Sequence, residues 1–233
     1  MDISEIENLE EKKAVAEKIL NKVKDGNVIG FGSGSTSYVT AIKIGELVTK
    51  NNLKYIHNKC NYIAILNYDN SPIDTEVLNL CDGIIIQGGS DIYSYHFQIV
   101  DYCFHHNIPI LGICMGHQIL GLYSNNSNSE DDLIKINNHY NKDKKHIINI
   151  KEDTIMYKLF GPTLEVNTRH LYAINKVKKP FIVSAVSQDN IIESIEYIDD
   201  NHFLLGVQFH PEDLDNTEAL YNYFLKEVYK RKH

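Results

Sequence analysis

Tryptophan is absent from this sequence, and positive charge is in short supply: 23 Lys and Arg stand against 31 Asp and Glu, for a formal net charge of −8. That balance offers nothing to a polyanion, so nucleic acid is not an expected partner, and the small basic run Lys142-Asp143-Lys144-Lys145 reads as solvated loop. No stretch approaches the roughly 18 apolar residues of a membrane span. The opening Met1-Asp2-Ile3-Ser4-Glu5 is acidic and without an apolar segment, which argues against a signal peptide. The four cysteines, Cys60, Cys81, Cys103 and Cys114, form neither a CxxC pair nor a dense framework, so a reduced, cytoplasmic setting is expected. Eleven histidines invite a metal, but His105-His106 and His202 fall at no recognised ligand spacing; the expectation is no metal and no cofactor.

What is present is alternation. Residues 5–25 read as an amphipathic helix, Asn27 to Phe31 as a strand and Thr36 to Lys50 as a helix. Strand Gly83 to Ile86, helix Tyr95 to His106, strand Ile108 to Ile113 and helix Gly116 to Tyr123 follow. The polar stretch from Ser124 to Asp132 predicts a mobile surface loop. Beyond it the chain is β-rich, at Ile147 to Ile150, Phe181 to Val186, Ile191 to Ile198 and Phe203 to Phe209, and it closes in a helix from Thr217 to Lys230. This pattern predicts an α/β fold whose central sheet, mostly parallel, is covered on both faces. At 233 residues, a single domain spanning 1–233 is expected.

Three segments carry chemistry. In Ile108-Pro109-Ile110-Leu111-Gly112-Ile113-Cys114-Met115-Gly116-His117-Gln118 a cysteine stands between two glycines directly after an apolar run. A strand that must turn sharply into a helix and leave one thiol at the bend needs such a pattern, with glycines to permit crowding and positive φ. At a helix N-terminus the unpaired N–H groups favour thiolate. By itself the segment fits a buried core cysteine equally well.

The second segment is the apolar run Phe203 to Phe209 with His210-Pro211-Glu212 at its end. In an extended chain residues two apart share a face, so His210 and Glu212 are expected to project together, an imidazole base with a carboxylate to orient it. The third is Asp82-Gly83-Ile84-Ile85-Ile86-Gln87-Gly88-Gly89-Ser90-Asp91, a buried-type strand running into a Gly-Gly turn. The N–H groups of Gly88 or Gly89, with that of Met115, could receive an oxyanion; an ordinary strand-to-loop turn is the alternative.

These segments, CDGIIIQGGSD, IPILGICMGHQILG and LLGVQFHPE in that order, resemble the class I glutamine amidotransferases, and most closely their stand-alone branch, the γ-glutamyl-γ-aminobutyrate hydrolase-like peptidases. The resemblance covers about residues 60–225. It implies a flavodoxin-like three-layer α/β sandwich in which Cys114 attacks a γ-glutamyl carbonyl, His210 is the base and Glu212 orients it. It also implies that Gln118 helps to hold the glutamyl group, and that Thr168 and His170, in Val166-Asn167-Thr168-Arg169-His170, lie near the substrate. The hydrolase branch continues this segment as His-Gln, where this chain has Leu171 and Tyr172. The substrate implied is a small γ-glutamyl compound, with a homo-oligomer or a separate synthetase as possible company.

The first 50 residues, with Gly32-Ser33-Gly34-Ser35-Thr36 after a helix and a strand, resemble instead the start of ribose-5-phosphate isomerase. Such a loop, rich in bare N–H groups and hydroxyls, can hold a phosphate or can simply turn. The isomerase's later Asp-Gly-Ala-Asp-Glu and Lys-Gly-Gly-Gly segments are missing, so isomerase activity is not expected. The segment is expected to supply a first helix, strand and helix to the sheet. Two functional classes remain for the whole chain: a cysteine hydrolase of γ-glutamyl amides acting through a thioester, or a partner-dependent module, either a glutaminase subunit delivering ammonia to a synthetase or a non-catalytic sensor with a phosphate-binding N-terminal loop.

Overall fold

The chain divides after Asp69 into two units. The computed structural model describes residues 73, 75–79, 81–199 and 202–232, all in the second unit. The isomerase-like segment, its loop Gly32 to Thr36, Cys60 and the expected single domain over 1–233 therefore lie outside the described residues, wholly or in part.

The described elements are α1 (Thr75–Asn79), β1 (Ile84–Ile86), α2 (Ser94–His105), β2 (Ile110–Ile113), α3 (Met115–Ser124), β3 (Ile134–Lys135), β4 (Tyr140–Ile150), α4 (Ile155–Phe160), β5 (Thr163–Arg169), β6 (Tyr172–Ala173), β7 (Phe181–Ser187), β8 (Ile192–Tyr197), β9 (Leu204–Val207) and α5 (Glu218–Lys232). Seven strands form one sheet in the order β1-β2-β9-β8-β7-β4-β5, and β3 pairs with β6 separately. The pairs β1–β2 and β2–β9 are parallel; the pairs from β9 to β5 are antiparallel. The sheet is thus mixed among the described residues, with its parallel part where the three motifs lie.

The apolar strands explain the layering. Along β2 and β9 alternate residues take opposite faces. Leu111, Ile113, Leu205 and Val207 join the buried cluster that contains Met156 of α4 and Leu220, Phe224 and Val228 of α5. On the other face Gly112 lies against Leu120, and Gly206 against His117, both from α3. Continuous apolar runs fit strands covered on both sides.

One local expectation changes and another gains detail. The strand before His210 ends at Val207, and Pro211–Asp213 is a 3₁₀ turn with Pro211 at its start. The stretch 124–132 contains a 3₁₀ turn, Glu130–Asp132, capped by the Ser129 side chain on the Asp131 N–H. Asn125 further ties it to the chain near residue 176, donating to the Lys176 carbonyl and accepting from Lys178 Nζ. Among the described residues no helix is long and apolar enough to cross a membrane.

The tightest close approach is at Gly116, where an added Cβ would lie 2.1 Å from the Ile86 carbonyl oxygen. Backbone meets backbone there, so no side chain can yield. Gly116→Ala is expected to destabilise the domain by about 1–3 kcal/mol. Urea denaturation checks this, and an unchanged midpoint would contradict the packing described.

Candidate active site

The thiol at the bend owes its position to strain rather than to glycine flexibility. Cys114 itself carries the unusual backbone, φ 53° and ψ −102°, between β2 and α3. A non-glycine residue there costs energy that the surroundings must hold in place. Its N–H donates to the Val207 carbonyl at 2.8 Å, and its carbonyl accepts the Gln118 N–H at 3.1 Å. Gly112 and Gly116 are not among the positive-φ residues. They are required because a Cβ on Gly112 would stand 2.7 Å from the Gly116 backbone.

His210 meets this thiol from the end of β9. Its Nδ1 lies 2.7 Å from Glu212 Oε1, and the ring stands beside Cys114, near enough for the thiol to act on its protonation. The His210–Glu212 contact arises from the 3₁₀ turn, not from alternation in an extended strand. Burial alone would lower the pKa of His210, but its interactions with Cys114 and Glu212 outweigh that and raise it to about 10. Asn167 of β5 clamps the histidine's backbone at both ends: its Nδ2 donates to the His210 carbonyl at 2.7 Å, and its Oδ1 accepts the His210 N–H at 2.8 Å. Nothing in the sequence pattern marks this role, although Asn167 belongs to the Val166 to His170 segment.

The Gly-Gly turn closes the third side. A Cβ on Gly88 would lie 2.9 Å from His210 Cε1 and 3.4 Å from Cys114 Cβ, so only glycine lets this backbone run beside the pair. Gly89 abuts the Met115 side chain in the same way, at 2.9 Å. Gly88, Gly89, Cys114, Met115, His210 and Glu212 are therefore brought together.

Gln118 is buried behind the thiol. Its Nε2 donates to the Tyr172 carbonyl at 2.8 Å and to Gln208 Oε1 at 3.3 Å, while Gln208 Nε2 donates to Cys114 Sγ at 3.7 Å. Gln208, which is fully buried, escapes sequence reasoning; the available signal is a lone amide inside the apolar run ending at His210. Thr168 and His170, expected near the substrate, turn their polar atoms inward. Thr168 Oγ1 donates to the His139 carbonyl and His170 Nδ1 to the Tyr172 carbonyl at 3.0 Å. Both are buried, Thr168 within β5 and His170 directly after it. His117, three residues after Cys114, is fully buried on the sheet side of α3, and burial pushes its pKa down to about 4. The residues at which the sequence departs from the hydrolase pattern, Leu171 and Tyr172, are both exposed. Tyr172 also lines an open groove of about 400 Å³ with Ile92, Glu130, Asp131 and Leu133, which neither Cys114 nor His210 lines.

The raised pKa has a definite sign. The stability that charged His210 contributes is complete below about pH 6.5 and is lost as pH rises through about 10. Cys114→Ala removes one of the two contacts that raise it, so the His210 midpoint in an NMR titration is expected to fall; an unchanged midpoint would mean that thiol and imidazole are not coupled. Gly88→Ala is expected to displace the ring and cost about 10²-fold in activity while the domain stays folded. Kinetics with circular dichroism checks this, and unimpaired turnover would contradict it.

Comparison with known proteins identifies relatives of the chain. Over 176 residues the chain is 28% identical to the glutamine-hydrolyzing GMP synthase of Petrotoga mobilis, a match covering 75% of this chain but only 32% of that protein. The chain thus spans about a third of the length of that synthase. It is also 28% identical over 180 residues to one subunit of the glutamine-hydrolyzing GMP synthase of Picrophilus torridus, covering 73% of this chain and 90% of that relative. The glutaminase domain of Trypanosoma brucei CTPS, solved with acivicin, superposes with a TM-score of 0.64 at 17% identity over 88% of this chain and 94% of that one, which shows a shared fold. Residues 93–212, just over half the chain, match Peptidase C26, and the chain belongs to this family of class I glutamine amidotransferase-like cysteine hydrolases.

Proposed function

We propose that the chain hydrolyses γ-glutamyl amide bonds through a thioester on Cys114, with γ-glutamyl amines among its substrates. The observation that carries this reading is the Cys114–His210–Glu212 constellation beside Gly88. Cys114 thiolate attacks the γ-carbonyl carbon, and the N–H groups of Gly88 or Gly89 and of Met115 receive the oxyanion. The C–N bond breaks as His210 passes its proton to the departing amine. Acylation removes the sulfur's charge and one of the contacts that raise the His210 pKa, so the imidazole becomes a usable base. It takes a proton from water, the hydroxide attacks the thioester, the C–S bond breaks, and glutamate leaves with the thiolate restored.

Gln208 and Gln118 serve as positioning residues in this scheme: the first donates to the sulfur and the second holds the first. Gln118 thus supports the glutamyl site through the thiol.

A second reading has its own support. The Picrophilus relative is a separate subunit, and the match spans 90% of it. In that reading the same chemistry acts on glutamine and hands ammonia to a synthetase chain.

Incubating the protein with glutamine and with a panel of γ-glutamyl amines, alone and with candidate synthetase chains, separates these readings. Glutamate release from amines without a partner is expected, abolished in Cys114→Ala. Release from glutamine only when a partner is bound would favour the partner-dependent reading instead. Undiminished release by Cys114→Ala would remove this cysteine from the reaction.

A further inference from the structure

A second cluster of titratable groups lies apart from the thiol, and the hydrolytic scheme does not use it. Glu193 of β8 is fully buried. Three imidazoles from three other places in the chain converge on one of its oxygens. His139 comes from the turn before β4, His146 from β4 and His170 from the residue after β5. From Glu193 Oε1, His146 Nε2 is 3.2 Å away, His139 Nδ1 3.3 Å and His170 Nε2 3.6 Å. None of these nitrogens has hydrogen-bond geometry toward a partner, and neither does either Glu193 oxygen.

The far side of two rings decides what these nitrogens carry. His139 Nε2 lies 3.0 Å from the Asp189 carboxylate, and His170 Nδ1 lies 3.0 Å from the Tyr172 carbonyl. Both partners can only accept there, so each of those nitrogens donates. In the neutral rings the lone pairs of His139 Nδ1 and His170 Nε2 then point toward a buried carboxylate. Lone pairs facing a carboxylate in a dry interior repel unless a cation stands between them, either a proton on the ring, which Glu193 and Asp189 favour at His139, or a metal ion held by the rings and the carboxylate together.

We propose that His139, His170 and Glu193 form a structural site for a divalent transition metal of the zinc class, which His146, with its Nε2 3.2 Å from the same Glu193 oxygen, closes as fourth ligand by a small shift toward the other two rings. The ligand atoms of the first three all lie within 4.8 Å of one another. Ligands about 2.0–2.2 Å from a tetrahedral zinc stand roughly 3.3–3.6 Å apart, close to the 3.2, 3.3 and 3.6 Å of the contacts to Glu193 Oε1. Three imidazoles and a carboxylate suit that ion. A carboxylate and a backbone carbonyl on the outer nitrogens are the supports that metal-bound histidines ordinarily have. One divalent ion also balances the charges of Glu193 and Asp189. Its place joins β8, β4 and the ends of β5, and through His170 it fixes the Tyr172 carbonyl that accepts from Gln118.

The test uses the full chain expressed without a polyhistidine tag, titrated with Co(II) and with Zn(II). One equivalent of Co(II) is expected to give the visible bands of a tetrahedral site with no near-ultraviolet thiolate charge transfer, and Zn(II) is expected to raise Tm by several degrees. Asp189→Asn, at an exposed residue that need not disturb folding, is expected to weaken Zn(II) binding by about 10–100-fold. Glu193→Gln is expected to abolish the tetrahedral spectrum, and His105→Ala with His106→Ala to leave it unchanged. Absence of stoichiometric binding, a thiolate band that places the metal on cysteine, or binding indifferent to both Asp189→Asn and Glu193→Gln would each overturn the proposal.

Discussion

Everything at the candidate active site depends on one strained residue. Cys114 holds a backbone conformation that side-chain-bearing residues avoid, and it is kept there by its N–H on Val207, its carbonyl on Gln118 and the two glycines that let α3 press onto β1 and β2. The strain has a consequence for geometry: it separates the thiol from the ends of both elements and sets it where β9 delivers His210. Parallel pairing of β2 with β9 places Ile113 beside Val207, so the residues that follow both strands emerge on the same edge. Thiol and imidazole meet because two parallel strands end together, as ligand sites do at the carboxyl ends of such strands.

The same edge is buttressed from the antiparallel half. Asn167 of β5 reaches the His210 backbone, and Glu193 of β8 takes the Gln208 N–H on its carbonyl. A mixed sheet therefore divides the labour: the parallel strands supply the reacting groups and the antiparallel ones fix them. The histidine cluster around Glu193 sits within that supporting half, one hydrogen bond from the Tyr172 carbonyl that also anchors Gln118.

The long apolar runs were legible in the sequence because burial on both faces leaves them without polar interruption, and β1, β2, β7, β8, β9, α2, α3 and α5 lie within a few residues of where the pattern placed them; β4 instead starts at Tyr140, taking in the run Lys142 to Lys145 expected as loop, and β5, with polar residues along it, was not marked as a strand. The three motifs were legible because glycine spacing reports close approach: Gly88, Gly112 and Gly116 each lack room for a Cβ. Helix α4 escaped because six residues show no period; it exists by virtue of Thr154 and the Glu196 carboxylate, which accepts the N–H groups of Ile155 and Met156. Asn167, Gln208 and the partners of Glu193 escaped for a different reason. Their roles are pairings between distant parts of the chain, 43 positions apart for Asn167 with His210 and 94 for Gln208 with Cys114, which neither spacing nor composition encodes.

The central claim is that Cys114 becomes covalently acylated during turnover. Rapid acid quenching of the full chain with a γ-glutamyl substrate, followed by intact-mass and peptide mass spectrometry, tests it directly. The account predicts a γ-glutamyl adduct on the peptide containing Cys114 that decays as glutamate is released. Steady turnover with no adduct on that peptide, or with the adduct on another residue, would contradict it.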